Sequence, residues 1–216
     1  MRASIRSILK LATIAAAASL SLSAQAAPGL TGWTGGGGAT SGSDQLYGWL
    51  FHVNSAINVS ALGVQDTNSD GLSIAHDVGI FRSSDQSLVA STTVGAGLAG
   101  TLDAGFRYTA LGSSSLLAVG DYVIVMTMPQ LNGDTQIINA TGVTTAAEIT
   151  WINSAFDGGS VLAYPTTFGA FAIGMFGPNF EFGAAAVPEP ETYAMMLAGL
   201  GALGFVARRR RSSVQG

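Results

Sequence analysis

The chain has 216 residues, of which 48% are hydrophobic and 10% charged, with a formal net charge of −4. Between Ala27 and Val187, however, two arginines stand against eleven acidic residues, a net charge of −9, and there is no lysine. A body this acidic repels phosphate backbones, which argues against nucleic-acid binding. The chain has no cysteine, so disulfides, thiolate metal sites and a cysteine nucleophile are excluded.

The first 26 residues have the three parts of a secretory signal peptide. A basic start is followed by the apolar stretch Leu11–Leu22, which is too short to span a bilayer, and then by Ala24-Gln25-Ala26. The small side chains of Ala24 and Ala26 match the pattern that signal peptidase accepts. We predict cleavage after Ala26, so that the mature chain begins at Ala27.

The C-terminal end has a second three-part pattern. A small-residue spacer (183–187) leads to Pro188-Glu189-Pro190, then to an apolar run from Tyr193 to Ala207 and a basic cluster of Arg208, Arg209, Arg210 and Arg211. The prolines keep the motif extended. The run falls short of the ~20 residues of a usual membrane helix, and flanking residues extend it. The arginines place that end in the cytoplasm and the body outside.

This order of parts, residues 188–211, resembles the PEP-CTERM sorting signal. The resemblance implies that Pro188, Glu189 and Pro190 are recognised by an exosortase, a membrane-embedded cysteine protease or transpeptidase, and that the tail is removed. The alternative is an ordinary single-pass anchor with Arg208–Arg211 as a stop-transfer signal. The predicted route is therefore a membrane-anchored precursor, followed by sorting to the cell surface or the extracellular space.

The region between the two ends is predicted to be all-β. Short apolar runs alternate with polar residues and are separated by Gly, Asp, Asn and Ser, without a sustained helical period. We predict one jelly-roll-like β-sandwich over residues 46–182, preceded by a flexible Gly/Ser/Thr-rich leader (27–45). The predicted strands are Leu46–Val53, Ile57–Gln65, Asp77–Arg82, Ser87–Val94, Gly105–Ala110, Asp121–Met128, Glu148–Ile152, Phe168–Ile173 and Asn179–Phe182.

The body also resembles a β-sandwich domain, without an assigned activity, that is found upstream of such tails. The resemblance implies a fold and a location, and no activity. It rests on short segments spread over the body: Gly48–Phe51, Ala61–Gly63, Asp70–Leu72, His76–Phe81, Gly120–Val123 and Gly177–Phe180.

A candidate calcium loop begins at Asp66. Oxygen-bearing side chains at Asp66, Asn68 and Asp70, followed by a glycine, match the front half of an EF-hand loop. Leu72 would offer its carbonyl and Asp77 occupies the last ligand position, where Glu is the usual residue. No flanking helices are predicted, so the loop would be an isolated Ca²⁺ site on a β scaffold. The alternative is a plain surface turn.

The remaining residues indicate no enzyme. His52 and His76, the two histidines, lack further ligands at zinc spacing, and we assign both a structural role. Trp49 lies in a strand and is predicted to pack in the core. The leading hypothesis is a non-enzymatic exported protein of the cell surface or extracellular matrix. The alternatives are a calcium-assisted carbohydrate-binding module that retains matrix polysaccharide and, third, a surface hydrolase.

Overall fold

The computed structural model describes residues 26–130, 133–169, 174–185 and 198–200. Thirteen strands lie within these ranges. In chain order they are β1 (Ala27–Pro28), β2 (Leu30–Ala39), β3 (Gln45–Val53), β4 (Ile57–Gln65), β5 (His76–Arg82), β6 (Leu88–Val94), β7 (Thr101–Asp103), β8 (Phe106–Leu117), β9 (Gly120–Met128), β10 (Gln136–Thr145), β11 (Ile149–Gly158), β12 (Thr167–Phe168) and β13 (Pro178–Ala184).

The strands form a β-sandwich, which confirms the predicted fold class. One sheet has the order β1-β13-β4-β8-β7, the other β12-β11-β3-β9-β5-β6, and β10 and β2 form a separate two-stranded ribbon. The chain passes between these two sheets from β3 to β4, β4 to β5, β6 to β7, β8 to β9 and β12 to β13. Such an interlaced antiparallel path is typical of Greek-key and jelly-roll sandwiches.

The core lies between the two sheets and is rich in aromatic rings. In β3, Trp49, Phe51 and Val53 are fully buried at alternate positions, because successive side chains of a strand point to opposite faces. The ring of Trp49 stacks on that of Phe180 with centroids 5.7 Å apart, and its Nε1–H donates to the carbonyl of Pro178 at 2.8 Å. Trp49 is therefore a core residue, as predicted.

The predicted flexible leader is corrected by the structure. Leu30–Ala39 is strand β2, and it pairs antiparallel with β10, a strand that the sequence did not indicate. The run of glycines gives β2 no alternation of apolar side chains to detect, and Gly35 and Gly36 have positive φ, which few other residues adopt. The ordered sandwich extends from Ala27 to Ala184.

Most of the terminal predictions lie outside the described residues. This holds for Ala24, for the Pro188–Pro190 motif, for Arg208–Arg211 and for nearly all of the Tyr193–Ala207 run. They therefore stay predictions.

Within the part of the chain that the structure describes, no helix has the length and apolar character needed to cross a membrane.

Candidate functional site

A cavity of about 410 Å³ lies between the loop that joins β4 to β5 and the residues that lead into β10. The loop residues belong to the predicted calcium segment, so the structure gives that segment a concave setting. The described residues around the cavity include no aromatic ring; they are Gly38, Gln65, Asp66, Thr67, Asn68, Asp70, Gly71, Leu72, Ser73, Gly133, Asp134 and Thr135.

The carboxylate of Asp66 is held by a buried arginine. Arg107 Nε donates to Asp66 Oδ2 at 2.6 Å, and both side chains are at most 5% exposed. The backbone N–H of Gly71 also donates to this carboxylate, at 3.1 Å, which closes the loop. Arg107 donates in addition to the carbonyl of Ser69. A cation at Asp66 would therefore compete with a guanidinium that is already in place.

The other four predicted calcium ligands do not all lie at the cavity. Asn68 and Asp70 are exposed and line the same cavity as Asp66. The carbonyl of Leu72 accepts the N–H of Gly97 at 2.6 Å. Asp77 lies in β5, where it accepts a hydrogen bond from Thr93 at 2.6 Å, and it does not line the cavity.

Four of the five predicted calcium ligands thus line the same cavity, and the fifth, Asp77, does not. Within the described ranges, no group of three or more His, Asp or Glu side chains is arranged to hold a metal ion. The calcium site stays a prediction.

His76 and Asp134 form a second buried pair, of which Asp134 lines the cavity. His76 is fully buried, with Nδ1 at 2.7 Å from the Thr127 carbonyl and Nε2 at 2.9 Å from Asp134 Oδ2. A carbonyl only accepts, so Nδ1 donates its hydrogen to Thr127. The N–H of Ser73 donates to Asp134 Oδ1 at 2.8 Å. This network ties the β4–β5 loop to the residues before β10.

His52 has a different setting at the far end of β3. Its Nδ1 lies 2.6 Å from Asp121 Oδ1, directly across the β3–β9 register, and both side chains are exposed. The structure thus gives each histidine a carboxylate partner. Sequence reasoning identified neither partner, because both contacts join residues more than fifty positions apart.

Two titratable groups on the five-stranded sheet are perturbed. Burial raises the pKa of Glu181, and the nearby charge of Asp103 raises it further. Burial also raises the pKa of Tyr108, with smaller contributions from the charges of Glu181 and Asp103. The carboxyl of Glu181 is therefore destabilised when it is ionised.

The comparison with known families concerns the end of the chain. A family model of the PEP-CTERM protein-sorting motif matches residues 186–211. The molecule is therefore a β-sandwich protein that carries a PEP-CTERM sorting motif, as the order of Pro-Glu-Pro, apolar run and arginines predicted. The motif supports an exported protein that is sorted by an exosortase. No curated protein matches the chain.

Proposed function

We propose that this chain is a non-enzymatic surface protein. In this proposal, signal peptidase removes residues 1–26, the tail holds the precursor in the membrane, and an exosortase then transfers the sandwich to the cell surface or extracellular matrix. The observation that carries the proposal is the sorting motif at residues 186–211. The motif begins directly after the last strand of the sandwich, which ends at Ala184.

The position of the motif supports processing close to the folded domain. The N–H of Ala185 still donates to the carbonyl of Ala56, so the chain is attached to the sandwich up to this residue. Pro188 follows three residues later, which at full extension is roughly 10 Å. An exosortase that recognises Pro188–Pro190 would therefore work next to the sandwich.

The buried polar groups support a non-catalytic body. Asp66, Arg107, His76 and Asp134 lie at or beside the polar cavity of about 410 Å³, and each is at least nine-tenths buried and bonded within the fold, whereas Asp70 in the same lining is exposed. Both ring nitrogens of His76 are engaged. A general acid or base must reach the proton that it transfers. We therefore assign these four buried, hydrogen-bonded side chains a structural role.

Cell fractionation of the full-length protein tests the proposal. We expect the wild type in the surface or extracellular fraction of a producing strain that has an exosortase. A combined Pro188→Ala, Glu189→Ala, Pro190→Ala variant should stay in the membrane fraction, because the recognition motif is gone. Glu191→Ala, which leaves Pro-Glu-Pro intact, is the matched control and should be sorted normally. Normal sorting of the triple variant would contradict the proposal.

A further inference from the structure

The chain leaves the sandwich beside two turns that are exposed and uncharged. The β3–β4 turn is Asn54-Ser55-Ala56 and the β8–β9 turn is Ala118-Val119. The two turns are neighbours, because Ile57, which follows the first, pairs with Leu117, which precedes the second. The N–H of Ala185 donates to the carbonyl of Ala56. The chain therefore departs toward the sorting motif at the end of the sandwich that carries both turns, the exit end.

Two large aliphatic side chains are exposed at the exit end. Val119 at the tip of the β8–β9 turn is 62% exposed, and Leu116 is also exposed. Leu116 pairs with Asn58, and Asn58 pairs with Gly183 in the last strand. Residues that pair directly across strands share a face of the sheet. These aliphatic groups thus lie beside the segment that leads to the tail, and covering them would remove apolar surface from water.

Most of the acidic charge lies at the opposite end of the sandwich, where Gln65 pairs with Phe106. The acidic residues in the loops and strand ends there are Asp44, Asp66, Asp70, Asp103, Asp134 and Asp157. At the exit end, Asp85 pairs with Arg82 and Asp121 with His52, and Glu148 is a further acid. An anionic membrane surface would therefore repel the opposite end more strongly than the exit end.

The length of chain after the sandwich limits which end can meet a bilayer. The apolar run begins at Tyr193, eight residues after Ala185, and eight residues span at most roughly 28 Å. The two ends of the sandwich are farther apart, because the ten residues of β8 from Arg107 to Leu117 rise roughly 33 Å. With the run in the membrane, the exit end can lie on the bilayer, whereas the opposite end cannot turn to face it.

We propose that the exit end is a membrane-docking surface, with Leu116 and Val119 inserted into the interfacial layer of the bilayer. The inference rests on the membrane-anchored precursor proposed above. Apolar side chains are favourable in this layer in proportion to the area they bury, and the uncharged turn tips bring no charge that must lose its water. Docking holds Pro188-Glu189-Pro190 at the membrane surface, where a membrane-embedded exosortase would meet it.

Site-specific fluorescence in vesicles tests the docking. The precursor is purified from cells that lack an exosortase and reconstituted in vesicles of phosphatidylethanolamine, phosphatidylglycerol and a nitroxide-labelled lipid that quenches nearby fluorophores. Because the chain has no cysteine, Val119→Cys, Leu98→Cys and Leu200→Cys each provide a single labelling position. Leu98 is the matched control, since it is 68% exposed and its carbonyl accepts from Arg107 at the opposite end. Leu200 lies in the apolar run and reports insertion of the tail.

We expect quenching at Leu200 and Val119, and quenching at Leu98 that is at least about twofold weaker than at Val119. A second measurement places the label in the neighbouring turn as Ser55→Cys. Adding Val119→Asp should lower the quenching of that label, because a charge at the tip opposes insertion, whereas adding Leu98→Asp should not. All the labelled positions are exposed, and thermal melts establish that each variant is folded.

The outcomes separate the docking from the anchor. Quenching at Leu200 with equal quenching at Val119 and Leu98 would overturn the docking and leave the anchor intact. No quenching at Leu200 would contradict the anchored precursor and the docking with it. An emission shift at Val119 without quenching by the nitroxide lipid would indicate contact with a second copy of the chain, and unchanged quenching at Ser55 in Val119→Asp would show that Val119 does not insert. Either result would overturn the docking.

Discussion

Ala27 lies directly opposite Phe182, so the predicted first residue of the mature chain pairs with the last strand of the sandwich. The two strands are antiparallel. Ala27 at the start of β1 and the C-terminal end of β13 therefore lie at the same end of the five-stranded sheet. This is the arrangement expected if the precursor is held to the membrane at that end.

The contact between Gly29 and Phe180 gives the first prediction. A Cβ at Gly29 would lie 2.5 Å from the ring of Phe180, which is fully buried and has no room to move. Gly29→Ala should lower the free energy of unfolding by about 1–3 kcal/mol, as overpacking usually does. Gly37→Ala is the control, since nothing lies within 4 Å of its Cβ. Denaturant unfolding of the full chain measures both, and equal stabilities would refute the packing described for β1 and β13.

The Asp66–Arg107 pair gives the second prediction. Arg107→Leu leaves a buried carboxylate without its partner, so we expect a loss of about 3–5 kcal/mol in unfolding free energy. Arg82→Leu breaks the exposed pair with Asp85, whose side chains are 42% and 54% exposed, and should leave the unfolding free energy close to that of the wild type. Urea denaturation compares the two variants. A small effect at Arg107 would show that Asp66 has another partner in solution.

The raised pKa of Glu181 gives a pH-dependent prediction. Burial and Asp103 disfavour the ionised carboxyl, so Glu181 is favourable for folding when protonated and this contribution is lost as the pH rises through its folded pKa. Glu181→Gln should therefore be more stable than the wild type at neutral pH, by a few tenths of a kcal/mol because solvent screens a half-exposed group. The difference should disappear at acid pH. Stability curves of both proteins from pH 3 to pH 8 measure it, and a destabilised variant at neutral pH would contradict the assignment.

The fourth prediction concerns calcium binding, for which the sequence pattern and the structure lead to different expectations. The Asp66–Asp70 pattern predicts a site, whereas the Arg107 guanidinium already bonds Asp66 at 2.6 Å. On the geometry, we expect thermal melts of the full chain to be the same in EDTA, calcium and magnesium. A calcium-specific rise in Tm that disappears in Asp70→Ala would establish the site and show that Arg107 gives way to the ion.

A strand could be predicted from the sequence where the alternation of apolar and polar residues lies within the strand itself. Ile57–Gln65 agrees with β4 at both ends, because its alternation is contained in the strand itself. The β2–β10 ribbon could not be predicted in this way. Its glycines carry no hydrophobic pattern, and the pairing of Gly38 with Ile137 joins residues about a hundred positions apart. Non-local pairing of this kind is invisible to a reading of short windows.

The candidate sites show the same limit. Asp66 was identified as a charged oxygen ligand from its neighbours, but its partner is Arg107, 41 residues away. Asp134 was not identified as the partner of His76, because that contact joins residues 58 positions apart. The sorting motif, in contrast, is a contiguous signal in the sequence, so the sequence alone was sufficient to recognise it.

The mass of the protein recovered from the surface or extracellular material of producing cells tests the central claim most directly. Intact-mass and terminal-peptide mass spectrometry should find a chain that begins at Ala27 and lacks Arg208–Arg211. The same cells without their exosortase should yield a chain that retains the arginines in the membrane fraction. An exported protein that still carries Arg208–Arg211 in the presence of the enzyme would contradict the account.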